Sequence, residues 1–204
     1  MSDANGPYNP LDKLNLANSI AGALLDLEVR SLSDTESIVG AGVYAIYYAG
    51  DFELYAPLAA KNIDGAFNQP IYVGKAIPKG GRKGGLSLDA AKGRALRDRL
   101  RQHASSIDET SNLDIKDFHF RALVVEDIWI PLGENVLIEQ FAPIWNQAID
   151  GFGNKTPGGR RATQRKSPWD ILHPGRVFAE MLADNPKFTQ ESLTQTVREF
   201  LAAQ

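Results

Sequence analysis

Two short runs, Gly42-Val43-Tyr44-Ala45-Ile46-Tyr47-Tyr48 and Ile71-Tyr72-Val73-Gly74-Lys75, constrain this chain most. Both are rich in the β-branched and aromatic residues that suit a pleated sheet. Each holds a tyrosine triplet, Gly42-Val43-Tyr44 in the first and Tyr72-Val73-Gly74 in the second, so two tyrosines can meet on adjacent strands. A third strand fits Phe118 to Val125, where polar and apolar residues partly alternate.

Helical patterns surround these strands. Leucines and Ile20 recur at helical spacing over 10–28, an amphipathic helix that covers either the core or a partner subunit. Further helices fit from near Ser87 to about Ile107, over 132–142 ahead of Pro143, and over 176–184 and 189–202. Residues 49–70 form a long excursion, and 150–175, punctuated by glycine and proline, reads as a loop. The fold class is α+β, a small, mostly antiparallel three-stranded sheet flanked by helices. With 204 residues and 43% apolar content, one domain is expected. It divides into a helical extension at 1–40, a core at 41–147 and a loop and helix extension at 148–204.

There is no cysteine, so disulfides and thiolate metal sites are excluded and any metal must use oxygen or imidazole ligands. The first residues lack the basic start and apolar stretch of a signal peptide, and no run approaches the roughly 20 apolar residues of a membrane helix. The expectation is a soluble, cytoplasmic protein with no membrane partner.

The net charge of −3 hides a segregated distribution. Residues 75–101 carry nine Lys/Arg against Asp89 and Asp98, and residues 155–176 carry six against Asp170. Two basic blocks in an acidic chain are what a phosphate-binding cleft needs, and equally what two solvated faces look like. Within the first block, Arg99 and His103 are four residues apart and so share a helix face. An isolated pair of this kind is more often plain basic surface. The loop Gly80 to Gly85 lacks the Gly-Lys-Ser/Thr ending of a nucleotide-binding loop and reads as a phosphate-contacting loop or a linker. Asp108 with Asp114-Ile115-Lys116 can be forced onto another nuclease signature, but no apolar strand holds that triplet. His119 and His173 have no partners at zinc spacing and read as a strand and a loop histidine.

The later helix carries Glu134-Asn135-Val136-Leu137-Ile138, and Pro143-Ile144-Trp145-Asn146 lies just beyond its end. Taken in order, the two triplets, the arginine helix and this block resemble the GIY-YIG nuclease superfamily over residues 42–146. The segments Asp150 to Pro157 and Ser167 to Arg176 resemble the C-terminal part of its type II restriction endonucleases, in the SacII-like, CCGCGG-cutting group. Tyr44 and Tyr72 stand 28 positions apart, farther than in compact members, which places the insertion at 49–69 and suits the restriction branch.

That resemblance implies roles. Tyr44 orients or deprotonates the attacking water, Tyr72 lies near the scissile phosphate, and Arg99 stabilises phosphoryl charge. Glu134 holds one divalent metal per site, Mg2+ or Mn2+, Asn146 completes the site, and His103 follows the arginine by one turn. A tyrosine with an unperturbed pKa of about 10 costs roughly 4 kcal/mol to ionise at pH 7, so it needs an acceptor or a nearby cation. His103 is the best acceptor, and Lys75 or the metal could lower the tyrosine pKa.

Lys79, Arg82, Lys83, Arg94 and Arg101 in the first basic block are expected to touch DNA, as are Lys155, Arg160, Arg161, Arg165 and Lys166 in the second. Arg160, Arg161 and Arg165 suit bidentate contact to guanine, with phosphate contact the equal alternative. The implied partners are double-stranded DNA with a palindromic site, a second subunit in a homodimer, and a methyltransferase protecting the same site. A structure-specific repair or homing nuclease is the alternative activity, and an inactive DNA-binding protein the alternative class.

Overall fold

Strand β2, Gly42–Tyr48, is buried along its whole length, because it is an inner strand covered on both faces. The computed structural model describes residues 12–78, 93–154 and 164–204. The sheet runs β1-β4-β2-β3, all antiparallel, with β1 Arg30–Ser31, β3 Pro70–Ala76 and β4 Phe118–Val124. It has four strands where three were expected, since Arg30 and Ser31 pair with Phe120 and His119.

Alternation along β2 sends Tyr44, Ile46 and Tyr48 to one core and Val43, Ala45 and Tyr47 to the other. The second core lies under α1, Lys13–Leu25, and α4, Ile130–Phe141. Of the two roles open to the N-terminal helix, this is the core-covering one: Ala17, Ala21 and Leu24 face inward, while Leu14 and Leu27 stay exposed. Gly133 lets α4 approach Ile20 and Val43 closely, since an added Cβ would lie 3.0 and 3.2 Å from them.

The first core lies under α3, Ala95–Asp108, with α5, Ile144–Gln147, and α8, Gln190–Ala202. Helix α3 begins at Ala95, and the expected start at Ser87 lies outside the described residues. Gly93 gives its carbonyl to the Gly40 amide and the Leu96 amide donates back to the Gly40 carbonyl, so the chain is tied to the entry of β2 just where helix was expected. The excursion between β2 and β3 contains a 3-10 turn, Glu53–Tyr55, and α2, Ala56–Ala59. Buried Asn62 closes it, donating to the carbonyls of Tyr48 and Gln69 and accepting from the Gln69 amide.

The 150–175 stretch is not all loop. Pro168–Leu172 forms α6 behind a capping box in which Ser167 and Asp170 cap each other's backbone, and α7 follows at Val177–Glu180. Trp169 and Leu172 from α6 are buried. His173, just past its C-terminus, is a loop histidine as expected, but it is fully buried, with Nε2 2.7 Å from the Tyr55 hydroxyl and Nδ1 3.1 Å from Asn112 Oδ1.

The triplet glycines have steric causes. A Cβ at Gly42 would collide with the backbone carbonyl of Leu123, and one at Gly74 would collide with the hydroxyl end of Tyr44, its cross-strand partner. Gly22 on α1 faces open space. Gly42→Ala is therefore expected to lower stability by about 1–3 kcal/mol, whereas Gly22→Ala raises it by about 0.5–1 kcal/mol through helix propensity; urea midpoints of the two variants would be compared with that of the parent chain.

Burial, assisted by the Arg176 guanidinium, lowers the His173 pKa to about 3. Between about pH 6.5 and pH 3 the unfolded chain takes up a proton that the folded chain refuses, so stability is full above that window and falls as pH drops, by about 1.4 kcal/mol per unit within it. The stability advantage of the parent over His173→Gln should accordingly shrink between pH 7 and pH 4, and an advantage independent of pH would refute it.

Candidate active site

Tyr44 leaves β2 toward α3, whose inward face is formed by Leu96, Leu100, His103 and Ile107. This spacing places His103 directly opposite, with the Tyr44 hydroxyl 2.7 Å from its Nε2 and the imidazole only 1% exposed. Tyr72 lies on the same sheet face, its ring centroid 6.3 Å from that of Tyr44 and 5.1 Å from that of His103. Arg99, one turn before His103, donates to the Gly153 carbonyl at 3.1 Å and to Gln102 Oε1 at 3.2 Å.

Unbroken antiparallel pairing from Gly42 and Ala76 to Ile46 and Tyr72 explains the placement of Tyr72: it sits two residues from Gly74, the partner of Tyr44, and so shares its face. The register shifts only beyond this pair, where Tyr47 meets Pro70 and Ile71 is the extra residue. Lys75 then points to the opposite face, toward α4, where its Nζ meets Glu134 Oε2 at 2.5 Å. The two halves of the cluster thus come from opposite faces and meet around β3, the edge strand.

Asn146 holds that edge. Its Oδ1 accepts from the Val73 amide at 2.8 Å and its Nδ2 donates to the Val73 carbonyl at 2.9 Å. Both polar ends of the side chain are thereby occupied by the residue between Tyr72 and Gly74, so it clamps the strand that carries them.

Burial pushes the Tyr44 phenol well above its ordinary range; neighbouring Tyr72 adds to the rise, Arg99 opposes it, and Glu134 adds a smaller upward push. Tyr72 is raised too, by burial first, with Arg99 opposing and Glu134 reinforcing. Both are neutral phenols in the free protein at neutral pH. Lys75, expected to lower the Tyr44 pKa, is committed to Glu134, and the cation that opposes the rise is Arg99, to which no such effect was assigned.

Two residues assigned no role from sequence complete the wall. The Phe152 ring stacks on His103 at 4.5 Å and 21° and meets Tyr72 edge-on at 5.0 Å. A Cβ at Gly153 would lie 2.9 Å from the Arg99 guanidinium and 3.0 Å from the Tyr72 hydroxyl, so the absence of a side chain there opens the approach to both. The signal was the Gly151-Phe152-Gly153 string, in which one aromatic sits between two flexible positions. A groove lined by Arg99, Arg101, His103, Ser106, Phe152 and Asn154 runs away from this cluster along α3.

Arg94 is exposed just before α3, and Arg101, on the groove, pairs with Glu36 at 3.3 Å, an exposed contact worth little and easily exchanged for phosphate. Arg165 donates to the Asp184 carbonyl at 2.7 Å, and Lys166 pairs with Asp184 and Glu180, so both anchor to the 180–184 segment. Lys79, Arg82, Lys83, Lys155, Arg160 and Arg161 lie outside the described residues. The Asp114 and Lys116 pair, 2.7 Å apart, sits on an exposed 3-10 turn and satisfies itself. Among the described residues no group of three or more His, Asp or Glu is arranged to hold a metal, and no helix is long and apolar enough to cross a membrane.

A search of curated proteins gives no match. A family model described as the Eco29kI GIY-YIG domain matches residues 36–201, which takes in β2, β3 and β4, α3, α4 and the C-terminal helices. With Tyr44, Tyr72, Arg99, His103 and Glu134 gathered around one strand edge, the chain belongs to the Eco29kI GIY-YIG family of restriction endonucleases and is a nuclease whose substrate is DNA.

Proposed function

We propose that the protein is a type II restriction endonuclease that cuts both strands of duplex DNA at a palindromic, GC-rich site, with the CCGCGG class as its nearest model. It acts as a homodimer, because a two-fold protein matches a two-fold site. A methyltransferase protecting the same site accompanies it. The observation that carries the reading is the 2.7 Å contact between the Tyr44 hydroxyl and His103 Nε2, in a cluster that also holds Arg99 and Glu134.

The chemistry is dictated by the burial. A buried neutral phenol is a poor base by itself, and generating its anion beforehand would cost more than the roughly 4 kcal/mol due in water. A hydrogen bond to imidazole removes that requirement: as Tyr44 Oη takes a proton from the attacking water, its own proton passes to His103 Nε2. No phenolate accumulates, and the charge appears on the imidazole. Arg99 lies one turn away, where its guanidinium can meet the equatorial oxygens as charge builds on them. Tyr72 orients the phosphate, and Asn146 keeps β3 in place beneath it.

Glu134 suits one hard divalent cation. A single carboxylate with few protein neighbours is how Mg2+ is commonly held, the remaining positions going to water and substrate phosphate. When bound, such a cation stabilises the leaving 3′-oxygen and the developing phosphoryl charge. Lys75, now against that carboxylate, balances its charge in the free enzyme.

Plasmid incubated with the protein and Mg2+ should give discrete fragments whose ends share one sequence, whereas a binding protein would leave it intact and a structure-specific nuclease would prefer branched DNA. Tyr44→Phe should slow single-turnover cleavage by about 10²–10⁴-fold, and Glu134→Ala should lose Mn2+ binding in calorimetry along with cleavage. His103→Ala should be impaired throughout pH 6 to 9. Full cleavage by that variant over the range would remove the proton relay.

A further inference from the structure

The extension at 148–204 reaches into the site through one loop, whose own backbone tie is the Asn154 amide donating to the Gly151 carbonyl at 3.0 Å. Gly151 and Gly153 flank Phe152, and Gly151 has φ +116°, a conformation that other residues rarely adopt. Yet Phe152 supplies the ring stacked on His103, and Gly153 the carbonyl that receives Arg99. Something outside the loop must fix it.

That something is Arg176. Its Nη1 donates to the Phe152 carbonyl at 3.1 Å and its Nη2 to the Gly151 carbonyl at 3.0 Å. Its Nε and Nη2 both bind Asp170 Oδ1, at 2.7 and 2.6 Å, with the two side chains 1% and 2% exposed. The guanidinium is sandwiched between the rings of Trp169, 4.4 Å away, and Phe178, 4.8 Å away. The adjoining chain also grips the far end of α3: the Val177 amide donates to Glu109 Oε2 at 3.1 Å, and the Ser111 amide to the Pro174 carbonyl at 2.9 Å.

We propose that Arg176 is a positioning residue for DNA cleavage: by fixing the Gly151 and Phe152 carbonyls it sets where Phe152 meets His103 and where Gly153 receives Arg99. This rests on Tyr44, His103 and Arg99 forming the cleavage site. Buried ion pairs are often replaceable by apolar residues without loss of stability, so stability alone does not explain a guanidinium here. The planar fork explains it, because one group must reach a carboxylate and two carbonyls at fixed angles, which an ammonium cannot do.

The test is Arg176→Lys, which keeps the charge facing Asp170 but loses the fork, alongside Phe152→Leu and Tyr44→Phe. Arg176→Lys should stay folded by circular dichroism and bind duplex DNA as the parent does in EDTA, while its single-turnover rate in Mg2+ falls about 100-fold. The His103 ring protons, assigned with His103→Asn, should lose the upfield displacement that a stacked phenyl ring imposes. Phe152→Leu should reproduce the rate loss and the resonance shift, and it carries the test if Arg176→Lys does not fold. A parental rate in either folded variant, or a rate loss with His103 resonances unmoved in Arg176→Lys, overturns the proposal. If Tyr44→Phe also cleaves like the parent, the assignment of the site itself falls; if Tyr44→Phe is inactive while the other two cut normally, only the role of Arg176 falls.

Discussion

Tyr44 lies across Gly74, and the rest of the molecule is arranged so that it can. A methyl group at position 74 would collide with the phenol. The register of β2 on β3 must therefore be held to a single residue, because a slip by one would turn Tyr44 toward α1 and α4. Three features hold it. β2 is buried on both faces, its pairing with β3 runs unbroken from Gly42 to Ile46, and Asn62 ties off the excursion between the strands. Asn146 then secures the outer side of β3.

Burial creates the electrostatic problem that the site solves. The sheet holds Tyr44 dry, which orients its hydroxyl but raises its pKa well beyond use as a preformed anion. A direct acceptor is then worth more than a distant cation, since at an effective dielectric of about 20 a charge 4 Å away contributes about 4 kcal/mol and decays with distance. His103 provides that acceptor, while Arg99 and Glu134 pull the phenol in opposite directions. The Lys75 and Glu134 pair keeps charge on the α4 side balanced, while Arg99 stands on the α3 side.

Much of this was legible in the sequence because it rests on periodicity. The two inner strands, the Arg99 to His103 spacing and the α4 position of Glu134 follow from residue type and interval. The fourth strand was not legible, since Arg30–Ser31 is too short to carry a pattern and exists only through its pairing with β4. Helix α6 had a readable start in Ser167-Pro168-Trp169-Asp170, masked by the surrounding glycine and proline. The burial of His173 was hidden because its partners, Tyr55 and Asn112, are 118 and 61 positions away. Phe152 and Gly153 escaped for the same reason: their importance lies in contacts to α3 and β3, which no local interval encodes.

The clamp by Asn146 has a consequence beyond the chemistry. An edge strand with free amides and carbonyls invites another chain to add to the sheet, the first step toward domain swapping and fibrous aggregation. Here one side-chain amide takes both hydrogen bonds of Val73 at the middle of β3. A second strand cannot zip along the edge past that point, yet the cover is only one side chain thick. The residue that steadies the strand carrying Tyr72 also withholds the middle of that edge from a second copy of the sheet.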